Sequence, residues 1–173
     1  NRIDVFFMIG LPEQTSKSVM ETIDYCEHLF QISDGRVLAF ISPMGPFLDP
    51  ASRTFEEPEK YGYTLFAHTL EDYRQHLVQP SWKRILTYET RWMSRNEIVE
   101  VTYDAGEALN ELKLKYGRIS PEAGSVVADH ITRSRELKAK LDILEQTGTN
   151  DGIEPLTLDD AEMSDLQGEI FEY

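Results

Sequence analysis

The sequence has one cysteine, no apolar run longer than that from Val5 to Ile9, and far fewer bases than acids. A single cysteine, Cys26, excludes an internal disulfide, which fits a reducing cytoplasm. The apolar runs are too short to cross a bilayer, which takes about 20 residues. No segment has the charged, apolar, small-residue order of a signal peptide. With 17 Lys and Arg against 31 Asp and Glu, the net charge of −14 argues against nucleic-acid binding through a general electrostatic footprint. A Gly-x-Ser-x-Gly elbow, a phosphate loop and a dinucleotide fingerprint are also missing.

The charge is uneven. Residues 147–173 hold eight acids and no Lys or Arg, which leaves −6 for the remainder. Such a stretch reads as a solvated, flexible tail, and as a docking segment for a basic surface in the sharper alternative. The chain starts at Asn1 almost directly on a strand-like segment. That start reads as a truncated or cleaved product.

With 40% apolar residues the chain can bury a core. Ile3 to Ile9 is mostly β-branched and aromatic, the pattern of a parallel strand covered on both faces. Gly10-Leu11-Pro12 ends it. A helix follows from about Thr15 to Gln31, capped by Thr15 or Ser16, with Val19, Ile23, Cys26 and Phe30 on one face. Ser33-Asp34-Gly35 turns the chain into a second strand, Arg36 to Ser42. Strand, helix and strand predict a right-handed parallel crossover. Two strands make a poor sheet by themselves, so further strands are expected from upstream chain or a partner.

Residues 43–63 read as a long loop punctuated by prolines, rich in acids and aromatics, at a strand end where α/β proteins build sites. From about Leu65 the pattern is helical: Thr69–Val78, Trp82–Tyr88, then a longer helix opened by Ser94 with Glu97 as its capping box. Ile98, Val101, Ala105, Leu109 and Leu112 form its apolar face, and Gly117 stops it. Ser120-Pro121 starts the next helix, whose face of Val127, Ile131, Ser134, Leu137, Leu141 and Leu144 runs to about Gln146. A short turn between two such helices predicts an antiparallel pair. The expected organisation is 1–63 strand–helix–strand plus loop, 64–146 helical, and 147–173 acidic tail.

Few residues suggest chemistry by type and spacing. Cys26 lies on an apolar helix face and reads as an ordinary buried thiol. His28, His68, His76 and His130 lack metal-ligand spacing. Glu71 and Asp72 are adjacent and point in different directions on a helix, so they make no acid–base pair. Tyr61, Tyr63 and Phe66 read as an aromatic cluster packing the loop onto the helices.

The segment Asp4 to Thr15 (DVFFMIGLPEQT) resembles one found late in the barrel of radical S-adenosylmethionine enzymes. Ala39 to Ser52 (AFISPMGPFLDPAS) is most similar to the cobalamin-binding branch of that family, and the helices from Tyr103 to Ile131 look like its C-terminal extension. The resemblance covers about residues 3–145. It implies an α/β fold that is mostly helical: the last βα units of a partial (β/α)6 TIM-like barrel, followed by a C-terminal helical region. It also implies S-adenosylmethionine, a [4Fe–4S] cluster and cobalamin in the full-length protein. The family's Cys-x3-Cys-x2-Cys cluster motif is missing here, so no cofactor is expected in this chain alone.

The family's loose adenine-contact pattern, Gly-x-Ile-x-Gly-x-x-Glu, falls on Phe6, Met8, Gly10 and Glu13, where Phe6 and Met8 depart from it. The resemblance makes Met8 an apolar contact for adenine and Gly10 a close approach for backbone. The plain reading makes Met8 core, Gly10 to Pro12 a turn, and Glu13 a helix-start acid favoured by the dipole. Ser42 and Pro43, in the Ser-Pro-x-Gly-Pro loop, would lie at the same barrel mouth, or form only a stiff turn. The expected function is therefore the C-terminal part of such an enzyme, closing the pocket for cosubstrate and substrate and inactive alone. Its partners would be the missing upstream barrel and cobalamin domain, with self-association through exposed strand edges. The alternative is a non-catalytic helical interaction module with an acidic docking tail.

Overall fold

A computed structural model describes residues 2–43, 45 and 47–147. The acidic tail lies outside the described residues, apart from Thr147. Asn1–Lys138 form one compact unit, and a second runs from Ala139. The fold is mixed α/β and mostly helical, with one parallel and one antiparallel two-stranded sheet; no barrel is formed by the described residues.

β1 (Ile3–Ile9) and β2 (Val37–Pro43) pair in parallel, from Ile3 opposite Val37 to Ile9 opposite Pro43. Helix α1 (Ser16–Ile32) makes the crossover. Thr15 caps it: its hydroxyl accepts from the Ser18 N–H, while the Ser18 hydroxyl oxygen accepts from the Thr15 N–H. The helix starts three residues after Glu13, which sits in a turn with φ +63°. Glu13 is thus outside the helix, because the Thr15–Ser18 exchange fixes a later start.

Strand alternation gives the parallel sheet two unlike faces. Ile9 and Ala39 join Val19, Ile23, Cys26 and Phe30 of α1 in the buried core. The other face carries Phe6 and Phe40, whose rings stack at 4.8 Å, then Met8 and Ser42. Phe6 is 66% exposed and Met8 49%.

The span 43–63 is not one long loop. It contains α2 (Arg53–Glu56), capped by Ser52, and a 3-10 turn at Pro58–Tyr61. The region after Leu65 is not wholly helical either. β3 (Tyr63–Leu65) pairs antiparallel with β4 (Tyr88–Thr90). Between them lie α3 (Leu70–Leu77) and α4 (Trp82–Ile85). The helix expected over Trp82–Tyr88 ends at Ile85, where Leu86 turns extended and Tyr88 enters the sheet fully buried. The tyrosines and phenylalanine do not form one cluster. Tyr63 is buried in the core, whereas Phe66 is exposed beneath the Arg95 guanidinium at 4.6 Å.

α5 (Arg95–Lys115) opens on the Ser94–Glu97 capping box and packs against α1 and β2. α6 (Pro121–Thr147) follows the turn at Gly117. Gly124 lies so close to α5 that a Cβ there would sit 2.7 Å from Leu114, and its carbonyl accepts from the Asn110 amide at 2.9 Å. Arg135 pairs with Glu100 and Glu107 at 3.1 Å and with Asp104 at 2.8 Å. Lys138, with its side chain 8% exposed, pairs with Glu100 at 2.6 Å. Glycine notches and ion pairs, more than a deep apolar stripe, seat residues 121–138 on α5.

Candidate functional site at the strand ends

The parallel ladder fixes the direction of every main-chain group in β1. The Ile3 N–H donates to the Arg36 carbonyl. In a parallel pair, alternate residues address the same neighbour. Ile3, Val5, Phe7 and Ile9 therefore face β2, while Asp4, Phe6, Met8 and Gly10 point their N–H and C=O groups to the outer edge.

Gln14 closes that edge at its C-terminal end. Its side-chain Nε2 donates to the Met8 carbonyl at 3.0 Å, and its Oε1 accepts from the Gly10 N–H at 2.8 Å and the Leu11 N–H at 3.2 Å. One amide thus gives and takes as a residue of a neighbouring strand would. The remaining outer edge, Asp4 to Met8, is unpaired by any strand among the described residues.

The Gly10 turn is locked from within. Its φ is +90°, a left-handed conformation suited to glycine. The direction a Cβ would take is filled by Tyr88, whose Oη would lie 2.9 Å away. The Gly10 carbonyl accepts from the Tyr63 hydroxyl at 3.0 Å, and the Tyr63 and Tyr88 rings meet edge to face. Burial pushes the Tyr63 phenol up to about 12, and it raises Tyr88 further, helped by neighbouring Tyr63. Both phenols stay protonated at neutral pH, so Tyr63 remains a donor. The Tyr88 hydroxyl is buried without a hydrogen-bond partner.

The five residues singled out in the sequence thus separate. Met8 and Ser42 are register partners, exposed on one face. Pro43 lies opposite Ile9. Glu13 stands exposed in its turn, and Gly10 is buried with its N–H and C=O engaged within the chain. Gln14 and Tyr88 were not singled out, and Tyr63 was read only as part of an aromatic cluster. Gln14 had a signal in its place four residues after Gly10, but the tyrosines meet the turn from far along the chain and leave no local mark.

The donors present do not suit an iron–sulfur cluster. Cys26 is buried, and desolvation raises its thiol from 9.0 to about 11, against the thiolate that ligation needs. Among the described residues no group of three or more His, Cys, Asp or Glu could hold a metal ion. His76 is engaged through Nδ1 with the Arg84 carbonyl at 2.7 Å, and His28 is exposed on α1. No described helix is long and apolar enough to cross a membrane. No family model, curated protein or solved structure matches the chain.

Proposed function

We propose that this chain is the C-terminal part of a radical S-adenosylmethionine iron–sulfur enzyme of the cobalamin-binding branch. On this reading it supplies late strands of a partial (β/α)6 barrel plus a helical region, and it lines the cosubstrate pocket without catalysing a reaction itself. The observation that carries the reading is the parallel β1–α1–β2 crossover with an unpaired outer edge and an exposed Phe6–Met8 face. An upstream parallel strand would pair with Asp4, Phe6 and Met8, and the barrel interior would cover Phe6 and Phe40. Met8 and Ser42 would then lie at the barrel mouth as apolar and polar contacts for a nucleoside. Gly10 supports them indirectly, by holding the turn against Tyr63 and Tyr88.

The iron–sulfur cluster and cobalamin belong, in this proposal, to upstream chain, and no step is assigned to them here. One observation favours the second reading, a helical interaction module. Leu70 is 86% exposed at the start of α3, and Leu77 and Val78 are exposed at its end.

The reading is tested by extending the coding frame upstream of Asn1. A Cys-x3-Cys-x2-Cys motif is expected, and the longer protein, reconstituted with iron and sulfide and reduced, should cleave S-adenosylmethionine to 5′-deoxyadenosine. The 173-residue chain should bind S-adenosylmethionine weakly or not at all in calorimetry, because it lacks the iron that would hold the amino and carboxylate groups. An upstream frame without the cysteines, or tight binding by this chain alone, contradicts the proposal.

A further inference from the structure

We propose that the exposed face of the parallel sheet, with Lys113 of α5 beside it, binds a small aromatic carboxylate. The ligand's ring lies against Phe6 and Phe40, and its carboxylate meets the Lys113 ammonium. The proposal rests on this face and this amine, not on the enzyme reading above. Where that reading holds, the same face lines the barrel interior, and the ligand class is that of the substrate.

Lys113 differs from nearby bases in having no counter-ion. Lys115, in the same last turn of α5, pairs with Glu27 at 2.5 Å. Arg135 and Lys138 take Glu100, Asp104 and Glu107. Lys113 pairs with no carboxylate and donates no hydrogen bond among the described residues. Its Nζ lies instead 4.5 Å from the centroid of the Phe40 ring. In a chain with 31 Asp and Glu, this is a cation kept apart from acids. Burial lowers its pKa, opposed by the Cys26 thiol, and no acid offsets the loss of water. The Nζ atom is unpartnered yet not sealed from solvent, so a ligand can reach it.

The face beside the amine is aromatic. Phe6 and Phe40 stack with their planes 13° apart. α5 packs against β2, the strand that carries Phe40, so Phe40 has Phe6 on its β1 side and Lys113 on its α5 side. Phe6 and Met8 stand exposed next to this row. A cation at one end and an exposed ring at the other, one phenyl ring apart, call for a ligand of the same layout. That is a flat ring joined directly to an anionic group, the ring giving aromatic contacts and the anion answering the amine. One ammonium with no second cation suits a single negative charge. The net charge of −14 sharpens this choice, because repulsion grows with the ligand's charge. A monoanion feels little of it, since charges beyond about 10 Å are screened at 0.1 M salt.

The test is a nuclear magnetic resonance titration of the 173-residue chain with 2-naphthoate. Uncharged 2-naphthamide and non-aromatic cyclohexanecarboxylate are the comparisons. 2-Naphthoate should shift the side-chain signals of Phe6, Phe40 and Lys113, with a dissociation constant on the order of 1 mM, a range open to a ligand of this size. The other two should bind about tenfold more weakly. Bound naphthoate should also raise the pKa of Lys113, a shift that a merely structural lysine would not show. Lys113→Met keeps the apolar stem and removes the charge, and should bring naphthoate down to the level of naphthamide. Lys113→Arg should retain binding, and Lys115→Met, which removes a base already paired, should leave it unchanged. Phe6→Ala, at an exposed position, should weaken both naphthyl compounds. Absence of binding, naphthoate and naphthamide binding alike to the unaltered chain, shifts confined to other residues, or indifference to both Lys113→Met and Phe6→Ala overturns the proposal.

Discussion

The β1–α1–β2 layer and the α5–α6 hairpin use different physics to hold their parts together. In the layer, α1 buries an apolar face against one side of the sheet, while the other side buries Leu38 but leaves Phe6 and Met8 exposed beside an edge that no strand among the described residues pairs. In the hairpin, residues 121–138 sit in glycine notches and are fastened by Arg135 and Lys138 to the acids of α5. These ion pairs run between the hairpin's own two helices, while Lys115 and Tyr116 at the end of α5 reach Glu27 of α1. The layer presents outer-edge groups from Asp4 to Met8 that no strand among the described residues pairs, beside the exposed Phe6.

The sharpest way to break this comparison is to hollow the layer. Phe30, on the buried face of α1, is 2% exposed and meets the Tyr116 ring. Phe30→Ala should cost about 3–5 kcal/mol in urea denaturation. Ile131→Ala, which removes a half-buried side chain over Gly106, should cost about 1–2 kcal/mol, because less area leaves water. Equal losses would refute the claimed difference.

Gly10→Ala comes next. It forces a side chain into a left-handed position against Tyr88 and should destabilise by about 2 kcal/mol. Adding Tyr88→Phe removes the nearest atom and should restore part of that loss, which a double-mutant cycle measures. The hairpin responds to charge instead. Arg135→Ala should cost about 1 kcal/mol and speed amide exchange in residues 125–138, and high salt should shrink its difference from the parent. The smallest effect separates the two tyrosines. Tyr63→Phe strips the Gly10 carbonyl of its donor and should cost about 1 kcal/mol, whereas Tyr88→Phe removes an unpartnered buried hydroxyl and should be neutral or slightly stabilising.

What was legible in the sequence was whatever depends on local period and caps. The apolar stretch Ile3–Ile9, the one-sided row Val19, Ile23, Cys26 and Phe30, and the Ser94–Glu97 box gave the crossover and α5 closely. β3 and β4 were not legible, because three-residue strands carry almost no alternation and meet only after two intervening helices. Tyr88 therefore read as the end of a helix. At the candidate site, Met8 and Ser42 were placed side by side by strand register, which the crossover made foreseeable. The use of Gln14 as a substitute strand residue depends on which way the Met8 and Gly10 peptides face, and that is set only once β2 pairs.

The central claim is that the outer edge of β1 is open. Residue-resolved hydrogen exchange on the dilute chain tests this most directly. Protection should alternate with period two, the amides of Ile3, Val5, Phe7 and Ile9 exchanging slowly and those of Asp4, Phe6 and Met8 quickly. Uniformly slow exchange across Asp4, Phe6 and Met8 in the dilute chain would mean that the chain already covers this edge itself, and would contradict the account.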